Sequence, residues 1–251
     1  MRKFSTTIAL FFLLMNCQMP TENHPKVQFQ AADHIEKATD SDITLDYIMG
    51  KFEPSTQPNF TPIDRRFADR ERLFLRTETY ESFKKMFIAA EKVGVRLTII
   101  SATRNFDYQK KIWETKWQNL AATVADPTQR ARKILEFSAM PSSSRHHWGT
   151  DVDFTSVSND FFDKPEGKRI YSWLQKNAAE FGFCQPYSAG RKAGYNEEKW
   201  HWTYLPLSRK MTDFARENLK NNQITGFKGA ETATTIDVVK NYVLGINPDC
   251  D

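Results

Sequence analysis

Residues 144–153 read Ser-Arg-His-His-Trp-Gly-Thr-Asp-Val-Asp, with two histidines before a glycine and two aspartates after it. Gly149 allows a tight turn, and the residues after it have the alternating pattern of a strand. We therefore predict a loop that leads into a strand over 149–155. In this arrangement His146 on the loop and Asp153 on the strand can converge on one point, together with a histidine from a neighbouring strand.

A second segment, residues 198–201, reads Glu-Lys-Trp-His and opens a run with aromatic residues at every second position. We interpret 199–205 as a strand beside the first one. Two imidazoles and a carboxylate are a natural ligand set for a catalytic Zn²⁺ with an open fourth position. His146, Asp153 and His201 are therefore the candidate ligands. Glu198, three residues before the last of them, is free to act as general base on a zinc-bound water.

Three neighbours of these candidates compete with them or adjoin them: Asp151, His147 and Glu197. Alternation along a strand puts Asp151 on the same face as Asp153, so Asp151 is an alternative ligand. The spacing from His146 favours Asp153. His147 is expected to line the cleft or to be exposed. Glu197 is an alternative base, and its distance from the second histidine favours Glu198 instead.

The spacing Ser-x-His-x-x-Gly-x-x-x-Asp, followed downstream by Glu-x-Trp-His, resembles the signature of the VanY-type D-alanyl-D-alanine carboxypeptidases. These belong to a wider group of metallopeptidases that includes the D-Ala-D-Ala dipeptidases and the hedgehog-like fold. The resemblance covers about residues 80–206. It implies that zinc is bound by His146, Asp153 and His201, and that Glu198 is the catalytic base.

An upstream block is similar to the same family. Residues 101–104 read Ser-Ala-Thr-Arg, a predicted strand end, and Gln109 follows on a predicted helix. The resemblance implies that Arg104 binds the substrate or polarises its scissile carbonyl, with Gln109 nearby. Alternatively, Arg104 and Ser144 hold the terminal carboxylate of a substrate through charge-assisted hydrogen bonds. Two positions depart from the family's usual pattern: Asp151 stands where alanine is usual, and Thr103 stands where an aromatic residue is usual.

The start of the chain has the pattern of an export signal. A basic Met-Arg-Lys is followed by the unbroken apolar run Ile8–Met15, which is too short to span a bilayer. Cys17 follows this run after Asn16, in a context that resembles a bacterial lipobox, so we predict its acylation. The expected organisation is a signal peptide over 1–16 and a flexible tether over 17–40, which indicates an exported protein, periplasmic or in the cell envelope, anchored to a membrane by lipid.

Composition places the remainder among globular proteins. The 251 residues include 40% hydrophobic and 26% charged residues, and the net charge is only +4. No long basic run is present, so we expect no nucleic-acid partner. The pattern predicts one α+β domain over 41–251, with a small, mainly antiparallel sheet flanked by helices, of the hedgehog or D-Ala-D-Ala peptidase type. Predicted strands are 95–101, 149–155 and 199–205. Predicted helices are 79–93, 106–120, 127–137, 167–181, 207–221 and 235–244, and turns and short helices are expected over 42–75.

Two further cysteines, Cys184 and Cys250, lie in the portion predicted to be exported. An oxidising compartment permits a disulfide between them. Two free thiols are the alternative.

Together the motifs and the resemblance imply an exported zinc peptidase that acts on bacterial peptidoglycan stem peptides, as a D-alanyl-D-alanine carboxypeptidase. An endopeptidase or an L,D-carboxypeptidase of the same fold is the first alternative. An inactive, zinc-containing protein that binds the cell wall is the second, although the presence of Glu198 argues against it, because a purely structural zinc site needs no base.

Overall fold

The structure is a computed structural model that describes residues 43–251; the predicted signal peptide, the tether and Cys17 lie outside them. The strands are β1 Phe60–Pro62, β2 Phe74–Arg76, β3 Ile99–Ser101, β4 Asp151–Phe154, β5 Phe183–Cys184 and β6 His201–Tyr204. The helices are α1 Leu45–Ile48, α2 Thr77–Glu91, α3 Phe106–Leu120, α4 Pro127–Ile134, α5 Asn159–Phe162, α6 Pro165–Asn177, α7 Leu205–Asn218 and α8 Thr232–Ile236. Within the described range, no helix is both long enough and apolar enough to cross a membrane.

A four-stranded sheet in the order β3-β4-β6-β5 organises the molecule, and each neighbouring pair is antiparallel. In this register Asp153 of β4 pairs with Ser101 of β3 on one side and with His201 of β6 on the other. Asp151 pairs with Thr203 in the same ladder. The predicted α+β fold with a small antiparallel sheet is therefore confirmed.

The two faces of this sheet differ in chemistry because side chains alternate along each strand. The apolar residues of β4 and β6 join Phe83 of α2 and Leu174 of α6 in one hydrophobic cluster: Val152, Phe154 and Trp202. The intervening polar residues occupy the other face: Asp151, Asp153, His201 and Thr203. A second hydrophobic cluster joins α3, α4, α7 and α8 to α1 and to several loops. Polar side chains are thus fixed on the sheet by the burial of their apolar neighbours.

Several predicted elements have different bounds in the structure. The helix predicted over 106–120 is confirmed as α3, and its start is capped by the Asn105 side chain, which accepts a hydrogen bond from the Tyr108 amide at 2.9 Å. The strand predicted over 95–101 is wrong in length, since only Ile99–Ser101 pairs with a neighbour. The antiparallel pair of β1 and β2 was not predicted, because Pro54, Pro58 and Pro62 indicate turns over 42–75.

A disulfide joins Cys184 of β5 to Cys250, so the alternative of free thiols is wrong. Residues 245–250, which we call the C-terminal strap, also bond to the segment that follows β5. The Asn247 amide donates to the carbonyl of Pro186 at 2.8 Å, and its side-chain amide donates to the carbonyl of Gln185 at 3.5 Å. The strap therefore ties the end of the described chain to the edge of the sheet.

Candidate active site

Three side chains converge on one point above the polar face of the sheet. The distances are 3.1 Å from His146 Nε2 to His201 Nδ1, 3.0 Å from His201 Nδ1 to Asp153 Oδ1, and 3.3 Å from His146 Nε2 to Asp153 Oδ1. Donor atoms that bind one zinc tetrahedrally at about 2.0–2.1 Å lie about 3.3 Å apart. All three residues are buried. Their separation therefore suits a single small metal ion.

Hydrogen bonds on the far side of each ring fix which nitrogen is free. His146 Nδ1 lies 2.8 Å from the carbonyl oxygen of Ala102, which can only accept, so this nitrogen carries the proton. His201 Nε2 lies 2.8 Å from Asp151 Oδ2 and donates to it. When both rings are neutral, His146 Nε2, His201 Nδ1 and the Asp153 carboxylate therefore face one another with lone pairs. Three acceptors at such distances repel one another unless a cation lies between them, and this is the environment of a metal site.

Electrostatics at these positions also favour positive charge. Burial by itself would lower the pKa of His201, but its bonds to Asp151 and Asp153 raise the pKa to about 9. Without a metal ion the ring therefore also carries a proton on Nδ1, at the position that a bound cation would take. Burial would raise the pKa of Asp153, yet His146 and His201 hold it well below the usual range. The carboxylate is therefore ionised at neutral pH and available as a ligand.

A short turn brings His146 to the sheet. Residues Arg145–Trp148 form a 3₁₀ turn that ends at Gly149, whose φ is +75°. A side chain there would be strained by this backbone conformation, and a Cβ would collide with the ring of Phe60. The chain then enters β4 directly, so that the ligand of the turn and the ligand of the strand face the same point.

Asp151 is not one of the three converging groups. It is fully buried behind His201, and the structure places Arg145 beside it, with 3.4 Å between Arg145 Nε and Asp151 Oδ2. Burial would raise the pKa of Asp151, but Arg145 and His201 outweigh this effect and lower it. Of the two aspartates, only Asp153 therefore faces both imidazoles from the cleft side.

Glu198 lies next to the three converging groups, with its Oε2 atom 3.7 Å from His201 Nδ1. It lies in the loop before β6, and the predicted strand over 199–205 begins in the structure only at His201. Its amide donates to the carbonyl of Tyr187 at 2.9 Å, and its carbonyl accepts from Gln185 Nε2 at 3.0 Å. Burial raises the pKa of Glu198 to about 8, an effect that a bound cation would oppose. The carboxylate can therefore exchange a proton near neutral pH.

Glu197, the alternative base, points elsewhere. Its Oε1 atom accepts from the Tyr171 hydroxyl at 3.4 Å, and its carbonyl accepts from Asn159 Nδ2 at 2.8 Å. These contacts lie on the α5 and α6 side of the loop. Only the second glutamate of the pair lines the cleft.

Arg104 and Gln109 form one hydrogen-bonded unit beside Asp153. Arg104 Nε donates to Gln109 Oε1 at 2.9 Å, and Arg104 Nη1 donates to Ser101 Oγ at 2.7 Å and lies 3.6 Å from Asp153 Oδ2. Gln109 Nε2 donates to the carbonyl of Ala139 at 2.8 Å, so the glutamine holds Arg104 against α3. Ser144 is buried at the start of the 3₁₀ turn and lines the same cleft.

His147 is neither exposed nor part of the cleft, so its predicted position is wrong. The imidazole is fully buried, and its Nδ1 atom donates to the carbonyl of Arg104 at 2.6 Å. Its Nε2 atom accepts from the Ser142 amide at 3.2 Å. Burial lowers the pKa of His147 to about 3, so the ring is neutral. It supports the backbone that presents Arg104.

The converging groups lie in a cleft of about 270 Å³. One wall is the face of α3 that carries Gln109, Ile112 and Lys116, and another is formed by Tyr187 and Tyr195. The sequence reasoning missed the two tyrosines and Lys116. Ile112 follows Gln109 by three residues and Lys116 follows Ile112 by four, which places all three on one helix face, so that signal was present. The tyrosines lie on an irregular loop, which has no such pattern.

An antiparallel sheet that presents two histidines and a carboxylate beside a buried glutamate defines a candidate metal-dependent hydrolase. A family model described as VanY, D-alanyl-D-alanine carboxypeptidase, matches residues 72–207, more than half of the chain. The chain therefore belongs to the VanY family, and the predicted D-Ala-D-Ala peptidase-type fold is confirmed.

Individual relatives agree with this assignment. The chain is 30% identical over 167 residues to the putative carboxypeptidase YodJ of Bacillus subtilis, with 62% of this chain and 55% of YodJ covered. It is 27% identical over 144 residues to a D-alanyl-D-alanine carboxypeptidase of Enterococcus faecalis, with 57% and 52% covered. The chain thus spans about half the length of these curated relatives. A solved structure of the LD-carboxypeptidase LdcB is similar at a TM-score of 0.51 and 25% identity, covering 68% of this chain and 77% of that one.

Proposed function

We propose that this protein is an exported, zinc-dependent carboxypeptidase that removes the terminal D-alanine from peptidoglycan stem peptides. The observation that carries the proposal is the convergence of His146, Asp153 and His201, as three lone-pair donors, beside the buried acid Glu198. Family membership supports the reaction class. The proposal adds the reaction itself, the peptidoglycan substrate and the exported location.

His146, Asp153 and His201 would hold the ion, and their donor set of two nitrogens and one oxygen suits Zn²⁺. When bound, zinc supplies a Lewis acid that polarises a carbonyl and makes water a stronger nucleophile near neutral pH. The open side of the site faces the cleft, where Glu198 lies. The protein's part is to keep the ligands buried and oriented.

Glu198 acts as the general base and acid in this proposal. Its carboxylate takes the proton of the attacking water, and the acid form returns that proton to the leaving amine as the peptide bond breaks. The raised pKa caused by burial suits both halves of this cycle. Gln185 and Tyr187 fix the backbone on either side of the carboxylate, so its position is defined before substrate binds.

Arg104 provides positive charge on the substrate side of Asp153. Gln109 and Ser101 hold the guanidinium, and the α3 face beyond it closes that side of the cleft with Ile112 and Lys116. A wall next to a fixed cation suits a chain that ends in a carboxylate. This favours removal of a terminal residue over cleavage within a longer peptide.

A second candidate function is L,D-carboxypeptidase activity, which removes D-alanine from a tetrapeptide and not from a pentapeptide. The similarity to the LdcB structure favours it as the alternative. Both activities need a carboxylate pocket and a metal site, so the difference concerns the residue before the scissile bond.

The deciding experiment offers purified protein three substrates: muropeptides with a pentapeptide stem, with a tetrapeptide stem, and with cross-linked stems. Products are read by mass spectrometry with and without a zinc chelator. We expect chelator-sensitive loss of one alanine from the pentapeptide. Loss from the tetrapeptide alone would establish the second candidate, and cleavage of the cross-link would establish an endopeptidase. Binding without any cleavage would support a cell-wall binding protein.

Export and anchoring are part of the proposal. The apolar run Ile8–Met15 before Cys17 supports them, and the disulfide is typical of an oxidising compartment. Cys17→Ser should move the protein from the membrane fraction to the soluble fraction. An unchanged distribution, with no acyl mass on the mature N-terminus, would remove lipidation from the proposal.

A further inference from the structure

A fully buried carboxylate lies directly behind one of the proposed ligands. Asp151 Oδ2 accepts the Nε2 proton of His201 at 2.8 Å, on the side of the ring that faces away from the cleft. Asp151 Oδ1 accepts from the hydroxyls of Thr150 at 2.7 Å and of Thr203 at 2.6 Å. Each donor is buried. The carboxylate is thus hydrogen-bonded in its ionised form, and His201 cannot turn without breaking this arrangement.

Arg145 supplies the matching charge. Its side chain has no exposed surface, its Nε atom lies 3.4 Å from Asp151 Oδ2, and its Nη1 atom donates to Thr212 Oγ1 at 2.9 Å. The guanidinium also lies over the ring of Trp148, 4.3 Å from its centroid. Within residues 43–251, its Nε and Nη2 atoms make no hydrogen bond that meets ordinary geometry, so the guanidinium is not placed there for hydrogen bonding alone.

Burying an isolated ion pair is rarely the most stable choice for a protein core, because the loss of solvation offsets the attraction. This pair has a third partner, His201, which faces the candidate metal position with its other nitrogen. We infer that Asp151 is a positioning residue that fixes the tautomer of His201 and strengthens Nδ1 as a ligand, with Arg145 as its counter-charge. The inference rests on the metal site of the proposed function.

Zinc affinity tests this inference without reference to turnover. The apo-protein is titrated with zinc chloride in competition with a chromophoric chelator, and its melting temperature is measured separately. Asp151→Ala should weaken zinc binding about 10–100-fold, the usual loss when a supporting partner of a ligand is removed. Asp151→Asn, which keeps the size of the side chain and removes its charge, should weaken it by a smaller factor.

Loss of Asp151 leaves Arg145 buried and unpaired, so the single variant can lose stability for that reason alone. The double variant Asp151→Ala with Arg145→Met removes both charges. We expect its apo melting temperature to be within about 4 °C of the parent, while its zinc affinity stays as low as that of Asp151→Ala. Asp213→Ala is the matched control, because that aspartate is paired with Arg216 on the surface.

The outcomes separate this inference from the proposed function. If the parent binds zinc and both the double variant and Asp151→Asn bind it equally well, the positioning role of Asp151 is wrong and the metal site stands. If the parent binds no zinc, the proposed function fails and the inference fails with it. A tenfold or greater loss in the folded double variant, with a smaller loss in Asp151→Asn, supports the inference, provided that Asp213→Ala binds zinc like the parent.

Discussion

The ligand side and the glutamate side of the cleft are held in place by different means. His201 and Asp153 are paired in adjacent strands, and Asp151 supports His201 from the same ladder, so that side is contained within β4, β6 and the turn before β4. Glu198 instead lies on a loop outside the sheet. It is held through Gln185, which the C-terminal strap in turn contacts.

Arg191 extends the contrast on the glutamate side. Its guanidinium donates to the carbonyls of Ser188, Ala193, Tyr195 and Asn196 within one loop, and to the carbonyl of Gly245 in the strap at 2.7 Å. The ligand side therefore depends on side chains close together in a ladder, whereas the glutamate side depends on backbone contacts with a distant part of the chain. Substitutions on the ligand side should change metal affinity, and substitutions on the glutamate side should change turnover or stability.

The largest effect is expected from removing a ligand. His146→Ala and His201→Ala should each weaken zinc binding by more than about 100-fold, beyond the loss expected for a supporting residue, and activity should fall with it. Metal content after dialysis, measured by mass spectrometry, checks this. His24→Ala, a histidine outside the described residues, serves as the control. Full retention of zinc in both ligand variants would contradict the assignment.

Removing the proposed base should affect chemistry and leave the ligand side intact. Glu198→Gln should keep its zinc and lower kcat by about 10²–10⁴-fold, the usual contribution of general acid–base catalysis, with a smaller change in KM. Steady-state kinetics on the pentapeptide measures this. Glu197→Gln is the matched control and should be close to the parent. The reverse pattern would show that the wrong glutamate has been chosen.

Opening the strap should lower stability more than it lowers metal affinity. The double variant Cys184→Ser with Cys250→Ser releases a loop of about 67 residues, which the chain-entropy estimate equates with about 4 kcal/mol of unfolding free energy. Urea unfolding of parent and variant measures the difference, and zinc titration shows whether the ligand side is preserved. Superimposable unfolding curves would show that the disulfide of the strap adds nothing to the unfolding free energy.

The smallest effect is expected at Arg191. Arg191→Met leaves several carbonyls of the loop without a donor and should reduce the unfolding free energy by about 1–3 kcal/mol, with zinc affinity unchanged. Arg66→Met is the control, since Arg66 forms an exposed pair with Glu91, worth at most about 1 kcal/mol. Equal losses of unfolding free energy in Arg191→Met and Arg66→Met would show that the contacts of Arg191 contribute no more than an exposed ion pair.

The same contrast explains what could be predicted from the sequence. Helix α3 was predicted at its observed bounds because the helical spacing of its apolar residues is a local signal. The ligand set lies in two short segments with regular spacing, which is why those residues could be singled out. In contrast, the antiparallel pair of β1 and β2 and the position of Tyr195 depend on contacts between segments far apart in the chain.

His147 shows the limit in a single residue. His146 faces the cleft, and nothing nearby in the sequence indicates that the imidazole of His147 is buried in the protein instead. Gly50, whose φ is +72°, makes the space, since a Cβ at that position would collide with the imidazole. The carbonyl that receives its proton belongs to Arg104. Both partners are remote in sequence, so local patterning predicted the wrong environment.

The disulfide imposes an order on the biogenesis of the molecule. Every candidate ligand lies before residue 205, so the metal pocket can assemble as soon as β6 has joined the sheet. The loop around Glu198 is secured through the C-terminal strap only after Cys250 has been synthesised. Cys250 then needs an oxidant to pair with Cys184. In a reduced chain the ligand side can therefore form while the loop that carries Glu198 is not yet secured by the disulfide.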